Sequence, residues 1–211
     1  MESLDLAVVV ADLDAEVTIR TLLERRREAL GIRPIRFKIV RHKGRDPGVY
    51  RDAPEVLRPF LKQARHALVL FDLEGSGQEP RPAPKVEEDL EQRLAQNGWA
   101  PERVRVIALD PELEVWVWSR SPHVARCIGL PPEELERFLA QVPKRDDGKP
   151  SRPKETLQQA LRRSGRPFSA AFFEELAERV SLRAGERAFV RFRETLQTWF
   201  PRTAQEFEAD R

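Results

Sequence analysis

The sequence predicts an α/β fold in which a small, mainly parallel sheet is flanked by helices and followed by an α-helical C-terminal extension. Three short apolar runs, at residues 6–11, 67–71 and 104–109, are rich in valine, leucine and alanine. Continuous runs of this kind are typical of strands buried on both faces of a parallel sheet. Helix-like stretches separate the runs, and only helix-like stretches follow residue 153, so the strands precede a purely helical region.

The helices between the strands are predicted from apolar residues at near-helical spacing, at residues 15–30, 53–64 and 86–97. Gly31 and Gly98 end the first and the third of these helices, because glycine readily adopts the left-handed conformation of a helix C-cap. Residues 35–40 alternate like a further strand, and residues 42–49 are predicted to form a loop. Residues 112–118 fit either a strand or a short helix, and the pattern leaves both open.

Composition divides the chain into two predicted regions. Residues 143–153 are polar and rich in proline and charge, which is typical of a linker. They separate an α/β domain at residues 1–142 from a helical region at residues 154–211. The helical region contains many Phe and Trp residues at helical spacing, and core packing is the simplest interpretation of such an apolar face.

Overall composition limits the classes of function. Charged residues make up 34% of the chain but the formal net charge is only +2, so bulk charge gives little support for nucleic-acid binding. A single cysteine excludes an intramolecular disulfide and a cysteine-based metal site. No signal-peptide pattern occurs, and no apolar run approaches the roughly 18 residues needed to span a bilayer. We therefore expect a cytoplasmic protein without a membrane partner.

Acidic residues follow three of the predicted strands at the point where each strand ends. The residues of these acidic turns are Asp12, Asp14 and Glu16, then Asp72 and Glu74, then Asp110, Glu112 and Glu114. In an open parallel sheet the carboxyl ends of the strands form the edge where ligands bind. Carboxylates that converge there repel each other, and they need a cation or raised pKa values to coexist. Oxygen ligands without His or Cys favour Mg²⁺ or Mn²⁺ over zinc.

A structural role is the competing interpretation of each acidic turn taken alone. Asp12 or Asp14 fits the N-cap of the following helix, because a short acidic side chain accepts a bond from a free helix N–H. The spacing of Asp72 and Glu74 favours the metal interpretation, since period two in an extended segment sends both side chains to one side.

The predicted loop after the second strand adds polar groups that we expect at the same edge. His42 is the best-placed proton carrier, and Lys43 and Arg45 are candidate nucleic-acid contacts beside Asp46. Glycines in this loop allow close approach to phosphate, but the chain has neither a Walker nor a GxGxxG spacing. Trp116 and Trp118 fit either base stacking or core packing, and their apolar neighbours favour the core.

Three segments resemble a known family. Residues 11–16 (ADLDAE) and 68–75 (LVLFDLEG) resemble the two acidic motifs of the Toprim domain family. Residues 110–118 (DPELEVWVW) resemble the P-x-(I/L)-E-x-W element of Toprim-like proteins of the RloB and OLD-nuclease-related type. With the GIRPI and DPG segments of residues 31–48, these motifs are most similar to a component of bacterial methylation-associated defence systems. The resemblance covers about residues 5–130.

The resemblance implies Mg²⁺-dependent phosphodiester chemistry. Asp72 and Glu74 match the second Toprim motif and Glu114 matches the third, whereas Asp12 or Glu16 replaces the usual Glu-Gly of the first. Placement at strand ends and the resemblance together give Asp12, Asp14, Asp72, Glu74 and Glu114 as the metal ligands, with Glu16 and His42 as the catalytic candidates. The second motif reads Asp-x-Glu in place of Asp-x-Asp. Because of these departures, above all the altered first motif, and because of the modest positive charge, two functions stay open. One is a nuclease or related enzyme of anti-phage defence, acting on DNA, RNA or a nucleotide; the other is a non-catalytic subunit that binds a partner protein or nucleic acid within a defence complex.

Overall fold

A computed structural model describes residues 3–119, 121–182 and 186–202. In this part of the chain four strands form one sheet, in the order β2-β1-β3-β4, and every neighbouring pair is parallel. The strands are β1 (Leu4–Val10), β2 (Phe37–Arg41), β3 (Ala64–Asp72) and β4 (Val104–Leu109). The predicted α/β fold with a parallel sheet is confirmed. All four strands end at the same edge of the sheet, which is the edge that the acidic turns follow.

Helices cover both faces of the sheet. Within the described residues they are α1 (Leu13–Arg25), α2 (Arg27–Leu30), α3 (Arg45–Leu57), α4 (Ala83–Gln96), α5 (Pro122–Ile128), α6 (Pro132–Ala140), α7 (Pro153–Ser164), α8 (Ala170–Arg179) and α9 (Arg187–Trp199). Short 3₁₀ turns occupy Arg58–Phe60, Pro101–Arg103 and Leu113–Trp116. None of the helices that the structure describes has the length and apolarity needed to cross a bilayer.

The alternation of side chains along β1 separates two cores. Leu6, Val8 and Val10 lie in one core with residues of α1 and of helices α5 to α9. Ala7 and Val9 lie in the other core with residues of α3 and α4. Side chains of the predicted helical region therefore pack against the sheet in the same core as α1. The domain boundary at residue 142 stays a prediction, and residues 203–211 of that region lie outside the described part.

The structure differs from the prediction at the start of α3. Residues 42–49 were expected to form a loop, but α3 begins at Arg45 and that prediction is wrong. Pro47 lies in the first turn of the helix, where its missing N–H removes no intrahelical hydrogen bond. Residues 112–118, left open above, contain a 3₁₀ turn. Gly31 ends α2 with a φ of 74°, as the sequence indicated.

The outer edge of β4 is covered by charged side chains that take the place of a neighbouring strand. Glutamates of α4 accept bonds from the N–H groups of Val106 and Ala108, and arginines of α9 donate to the carbonyls of the same two residues. The four side chains are Glu87, Glu91, Arg187 and Arg191. Because these bonds satisfy the backbone groups of the edge, β4 offers no template for pairing with another chain.

Candidate metal centre

Three carboxylates meet at the C-terminal edge of the sheet. Asp72 is the last residue of β3, and Glu112 and Glu114 lie in the turn that follows β4. One oxygen of each carboxylate lies within 4.8 Å of the others. Glu112 and Glu114 are buried and Asp72 is half-buried. These three residues, called the acidic triad below, come from the ends of two adjacent strands because β3 and β4 are neighbours in the sheet.

Backbone N–H groups hold two members of the triad in place. The N–H of Leu113 donates to Oδ1 of Asp72 at 2.9 Å, and the N–H of Lys154 donates to Oε1 of Glu112 at 2.8 Å. The N–H of Asp72 in turn donates to Oδ1 of Asp46 at 2.8 Å, which brings a fourth carboxylate from the first turn of α3 to the triad. Fixed carboxylates of this kind are pre-organised for a ligand, because little side-chain freedom is left to lose on binding.

Glu114 is the unusual member of the triad. Its side chain is 3% exposed, and its Oε1 lies 3.5 Å from Nζ of Lys154. Its Oε2 is buried and has no hydrogen-bond partner among the described residues. A buried carboxylate oxygen without a partner costs free energy comparable to a lost charge-assisted hydrogen bond, about 2 kcal/mol or more. An oxygen in this position is suited to a ligand that supplies positive charge.

The pKa values in the cluster reflect burial and mutual repulsion. Burial raises the pKa of Glu114 to about 7, with a further contribution from the charge of Glu112. Burial also raises the pKa of Asp72 well above its ordinary value, and the charges of Asp46 and Glu114 add to the effect. The pKa of Asp46 and that of Glu112 are raised mainly by burial as well. Protonation or a bound cation would relieve this repulsion.

Lys154 is the cation that acts on the whole cluster. Its positive charge lowers the pKa of the four carboxyl groups described above and of the neighbouring Asp14. The five groups are Asp14, Asp46, Asp72, Glu112 and Glu114. Burial alone would lower the pKa of Lys154, but the surrounding carboxylates outweigh burial and raise it. A single ammonium group therefore faces several carboxylates, and it cannot neutralise them all.

Asp12 and Asp14 lie at the margin of the cluster. Oδ1 of Asp12 accepts a bond from the N–H of Ala15 at 2.9 Å and caps α1, so the structural interpretation of this residue is confirmed. The charge of Asp12 also raises the pKa of Asp14, Asp46 and Asp72, and these groups therefore share one electrostatic environment. Asp14 is half-buried, and its pKa is raised first by burial and then by Asp12.

The other predicted site residues lie apart from the triad or are engaged elsewhere. Glu74 is exposed, and Glu16 pairs with Arg20 at 3.0 Å and with Arg41 at 3.7 Å. Nδ1 of His42 accepts from the N–H of Gly44 at 3.0 Å, and its Nε2 lies 3.6 Å from Asp52. Lys43 and Arg45 are exposed next to His42. The catalytic roles given to Glu16 and His42 and the binding roles given to Lys43 and Arg45 stay predictions.

Three residues of the cluster were absent from the set of predicted ligands. Glu112 belongs to the acidic turn after β4, and the observation that acidic residues follow each strand applies to it as it does to Glu114. Asp46 belongs to the segment that was expected to be a loop, and its neighbours pointed to the same edge. Lys154 follows the predicted linker and lies about 40 residues beyond Glu112, and no local pattern connects the two.

The tryptophans pack in the core, as their neighbours indicated. Trp118 is buried and donates its indole N–H to the carbonyl of Pro153 at 3.0 Å. The ring of Trp116 lies 5.1 Å from that of Phe189, edge to face, and its N–H donates to Glu186. These contacts join the turn after β4 to helices α7 and α9, and they hold the turn that carries Glu112 and Glu114.

The donor set fits a hard divalent cation. Every candidate ligand atom in the triad is a carboxylate oxygen, and Oε2 of Glu114 is free of protein partners in the described part. Comparisons with protein-family models, with curated proteins and with solved structures give no match to this chain. The class of site is therefore defined by its own geometry: an acidic cluster that can hold a metal ion, at the carboxyl edge of a parallel α/β sheet.

Proposed function

We propose that this protein is a Mg²⁺- or Mn²⁺-dependent enzyme that processes phosphodiester bonds, and specifically a nuclease of a bacterial anti-phage defence system. The observation that carries the proposal is the buried, unpartnered Oε2 of Glu114 inside the acidic triad. The defence context rests on the resemblance of residues 5–130 to Toprim-like proteins.

The triad of Asp72, Glu112 and Glu114 would hold the cation, which would polarise a phosphoryl oxygen and stabilise charge that develops there. The N–H groups of Leu113 and Lys154 keep two of these carboxylates in orientation. Burial raises the pKa of Asp14 and that of Asp46 beside the triad, so each holds a proton to a higher pH than an exposed aspartate does.

Metal binding is tested by isothermal titration of the protein with Mn²⁺ at pH 8. We expect one site in the wild type, and no measurable site in Glu112→Gln, because the substitution keeps the shape and removes one ligand charge. Glu155→Gln is the matched control, since Glu155 is an exposed acid on the same helix as Lys154. The same titration of Glu74→Gln tests whether the ligands are those of the triad or those of the Asp-x-Glu motif. Loss of Mn²⁺ binding in this variant would indicate that Glu74 of the motif is a ligand.

Catalysis is tested by incubating supercoiled plasmid and single-stranded oligonucleotides with the wild type and Mn²⁺. Cleavage that Glu112→Gln removes and Glu155→Gln retains supports the enzyme. An absence of Mn²⁺ binding in the wild type would contradict the metal centre, and with it the catalytic proposal.

A non-catalytic subunit is the second candidate, and a specific observation favours it. The ammonium of Lys154 lies 3.5 Å from Glu114 and acts as an internal counter-ion of the cluster. In this interpretation Lys154 takes the place of the metal, and the fold serves to bind a partner. Mn²⁺ binding that appears only in Lys154→Met would support the second candidate.

A further inference from the structure

The segment around β2, the strand at one side of the sheet, is rich in positive charge. Residues 33–45 contain six Lys and Arg residues and no acidic residue, although the whole chain is nearly neutral. The six are Arg33, Arg36, Lys38, Arg41, Lys43 and Arg45. The run begins before β2, follows the strand and ends in the first turn of α3.

The outer edge of β2 is open to a ligand. Among the described residues β2 pairs with β1 only, so its other side faces no strand. The N–H of His42 donates to the carbonyl of Val10 on β1 at 2.9 Å. Since successive residues of a parallel strand direct their backbone groups to opposite sides, alternate N–H groups of β2 point outward. These outward amides belong to Phe37, Ile39 and Arg41.

Three of the six cations, Lys38, Lys43 and Arg45, differ from the others, since Arg33 pairs with Asp5 at 2.8 Å and Arg41 contacts Glu16. In the described ranges no carboxylate forms a salt bridge with Lys38, Lys43 or Arg45, and the latter two are exposed. The ammonium of Lys38 lies 5.5 Å from the ring centroid of Phe60, which orients it without neutralising it. Arg41 is 48% exposed and has a long contact of 3.7 Å with Glu16. The opposite edge differs, because the arginines that cover β4 bind glutamates of α4.

The basic segment ends on the side of the sheet that carries the acidic triad, with β1 between β2 and β3. Because the strands are parallel, the C-terminal end of β2 lies at the same edge of the sheet as Asp72. Arg45 directly precedes Asp46, whose Oδ1 accepts the N–H of Asp72 at 2.8 Å. Arg45 has a φ of 49°, a left-handed conformation that is rare outside glycine and that suggests a constrained turn at this point.

We propose that the outer edge of β2, with Lys38, Lys43 and Arg45 as its principal contacts, binds the sugar-phosphate backbone of a nucleic acid and leads it to the triad. This inference rests on the proposed function, since it names the surface that would bring the nucleic-acid substrate to that site. Positive side chains and outward amides contact phosphates and read no base edges, so binding is independent of sequence. The β4 edge cannot do the same, because its cations and backbone groups are already paired.

Binding is measured by fluorescence anisotropy with a labelled 20-nucleotide single-stranded DNA, in EDTA, over a range of salt concentrations. EDTA removes divalent cations, so the result does not depend on the metal centre. The test variant combines Lys38→Gln, Lys43→Gln and Arg45→Gln. The matched control combines Lys85→Gln, Arg137→Gln and Arg162→Gln, three exposed cations on α4, α6 and α7 that remove the same charge. Circular dichroism and urea unfolding establish that both variants fold.

Each phosphate contact contributes a slope of about −0.7 in the dependence of log K on log salt, or about fivefold in affinity between 1 M and 0.1 M salt. The test variant should therefore lose roughly 100-fold in affinity at 0.1 M salt and about two units of slope, whereas the control stays within about threefold of the wild type. Equal losses in both variants would show a non-specific charge effect and overturn the proposal, as would an absence of binding in the wild type. A wild type that binds DNA in EDTA but neither binds Mn²⁺ nor cleaves would overturn the proposed activity alone.

Discussion

Replacement of Glu114 by Gln should stabilise the metal-free protein at high pH and leave it nearly unchanged at low pH. The folded state raises the pKa of Glu114 from an ordinary 4.5 to about 7, so it holds the proton that the unfolded chain has released. Stability is therefore lost as pH rises from about 4.5 to about 7, and the loss stays constant above that range. Because the side chain is 3% exposed, the shift corresponds to about 3 kcal/mol at pH 8. Gln resembles the protonated acid and avoids this loss.

The assay is urea unfolding of wild type and Glu114→Gln in EDTA, at pH 5 and at pH 8. With an m-value of about 2–3 kcal/mol per molar urea, the midpoint of the variant should exceed that of the wild type by about 1 M at pH 8. At pH 5 the two midpoints should differ by much less. Because the two proteins are compared at the same pH, the contributions of groups that titrate in both proteins cancel.

Glu155→Gln is the control, because Glu155 is exposed and the midpoint of this variant should stay close to that of the wild type at both pH values. A pH-independent difference between Glu114→Gln and wild type would refute the reasoning. It would mean that Glu114 titrates normally, and that its unpartnered oxygen is solvated or paired in solution.

Three further outcomes follow from the structure. Mn²⁺ at 100 times its dissociation constant should stabilise the wild type by about 2.7 kcal/mol and Glu114→Gln by much less, as urea midpoints with and without the ion will show. Burial lowers the pKa of His66 to about 4, so the wild type should lose stability relative to His66→Gln as pH falls from 6.5 towards 4; parallel unfolding curves over that range would contradict this. Arg187→Met should cost about 3 kcal/mol in urea unfolding because it leaves the buried Glu87 short of a partner, and the double variant with Glu87→Gln should recover part of the loss.

The strands could be predicted because their signal is local. The valine- and leucine-rich runs are continuous where a parallel strand is buried on both faces, and β4 has the bounds 104–109 that the pattern indicated. The start of α3 could not be predicted in the same way. Gly44, Pro47 and Gly48 indicate a loop by composition, whereas Gly48 lies inside the helix with the His42 ring packed against it. The close approach between the two is a tertiary contact that no local window contains.

The acidic edge could be predicted only in part. Strand ends identified Asp72 and Glu114, because parallel topology brings the ends of β3 and β4 together. The period-two spacing predicted that Asp72 and Glu74 point to the same side. Because β3 ends at Asp72 and the chain then turns, the alternation of an extended strand does not reach Glu74, which is exposed. Lys154 reaches the cluster through the packing of α7 beside the turn after β4, and only the folded chain contains that information.

The position of Lys154 connects the two candidate functions. The ammonium group of Lys154 and a divalent cation would interact with the same carboxylates. Repulsion between the two positive charges would therefore weaken the binding of each to the cluster. A lysine that was only a counter-ion would be expected to pair with one carboxylate, yet Lys154 faces several acidic groups and leaves the buried Oε2 of Glu114 without a partner. This oxygen is available to a second cation, whose charge would displace the protons that the raised pKa values of the cluster favour. A lysine beside a metal centre also supplies a positive group that can meet a phosphate, which is the role that the proposed substrate requires.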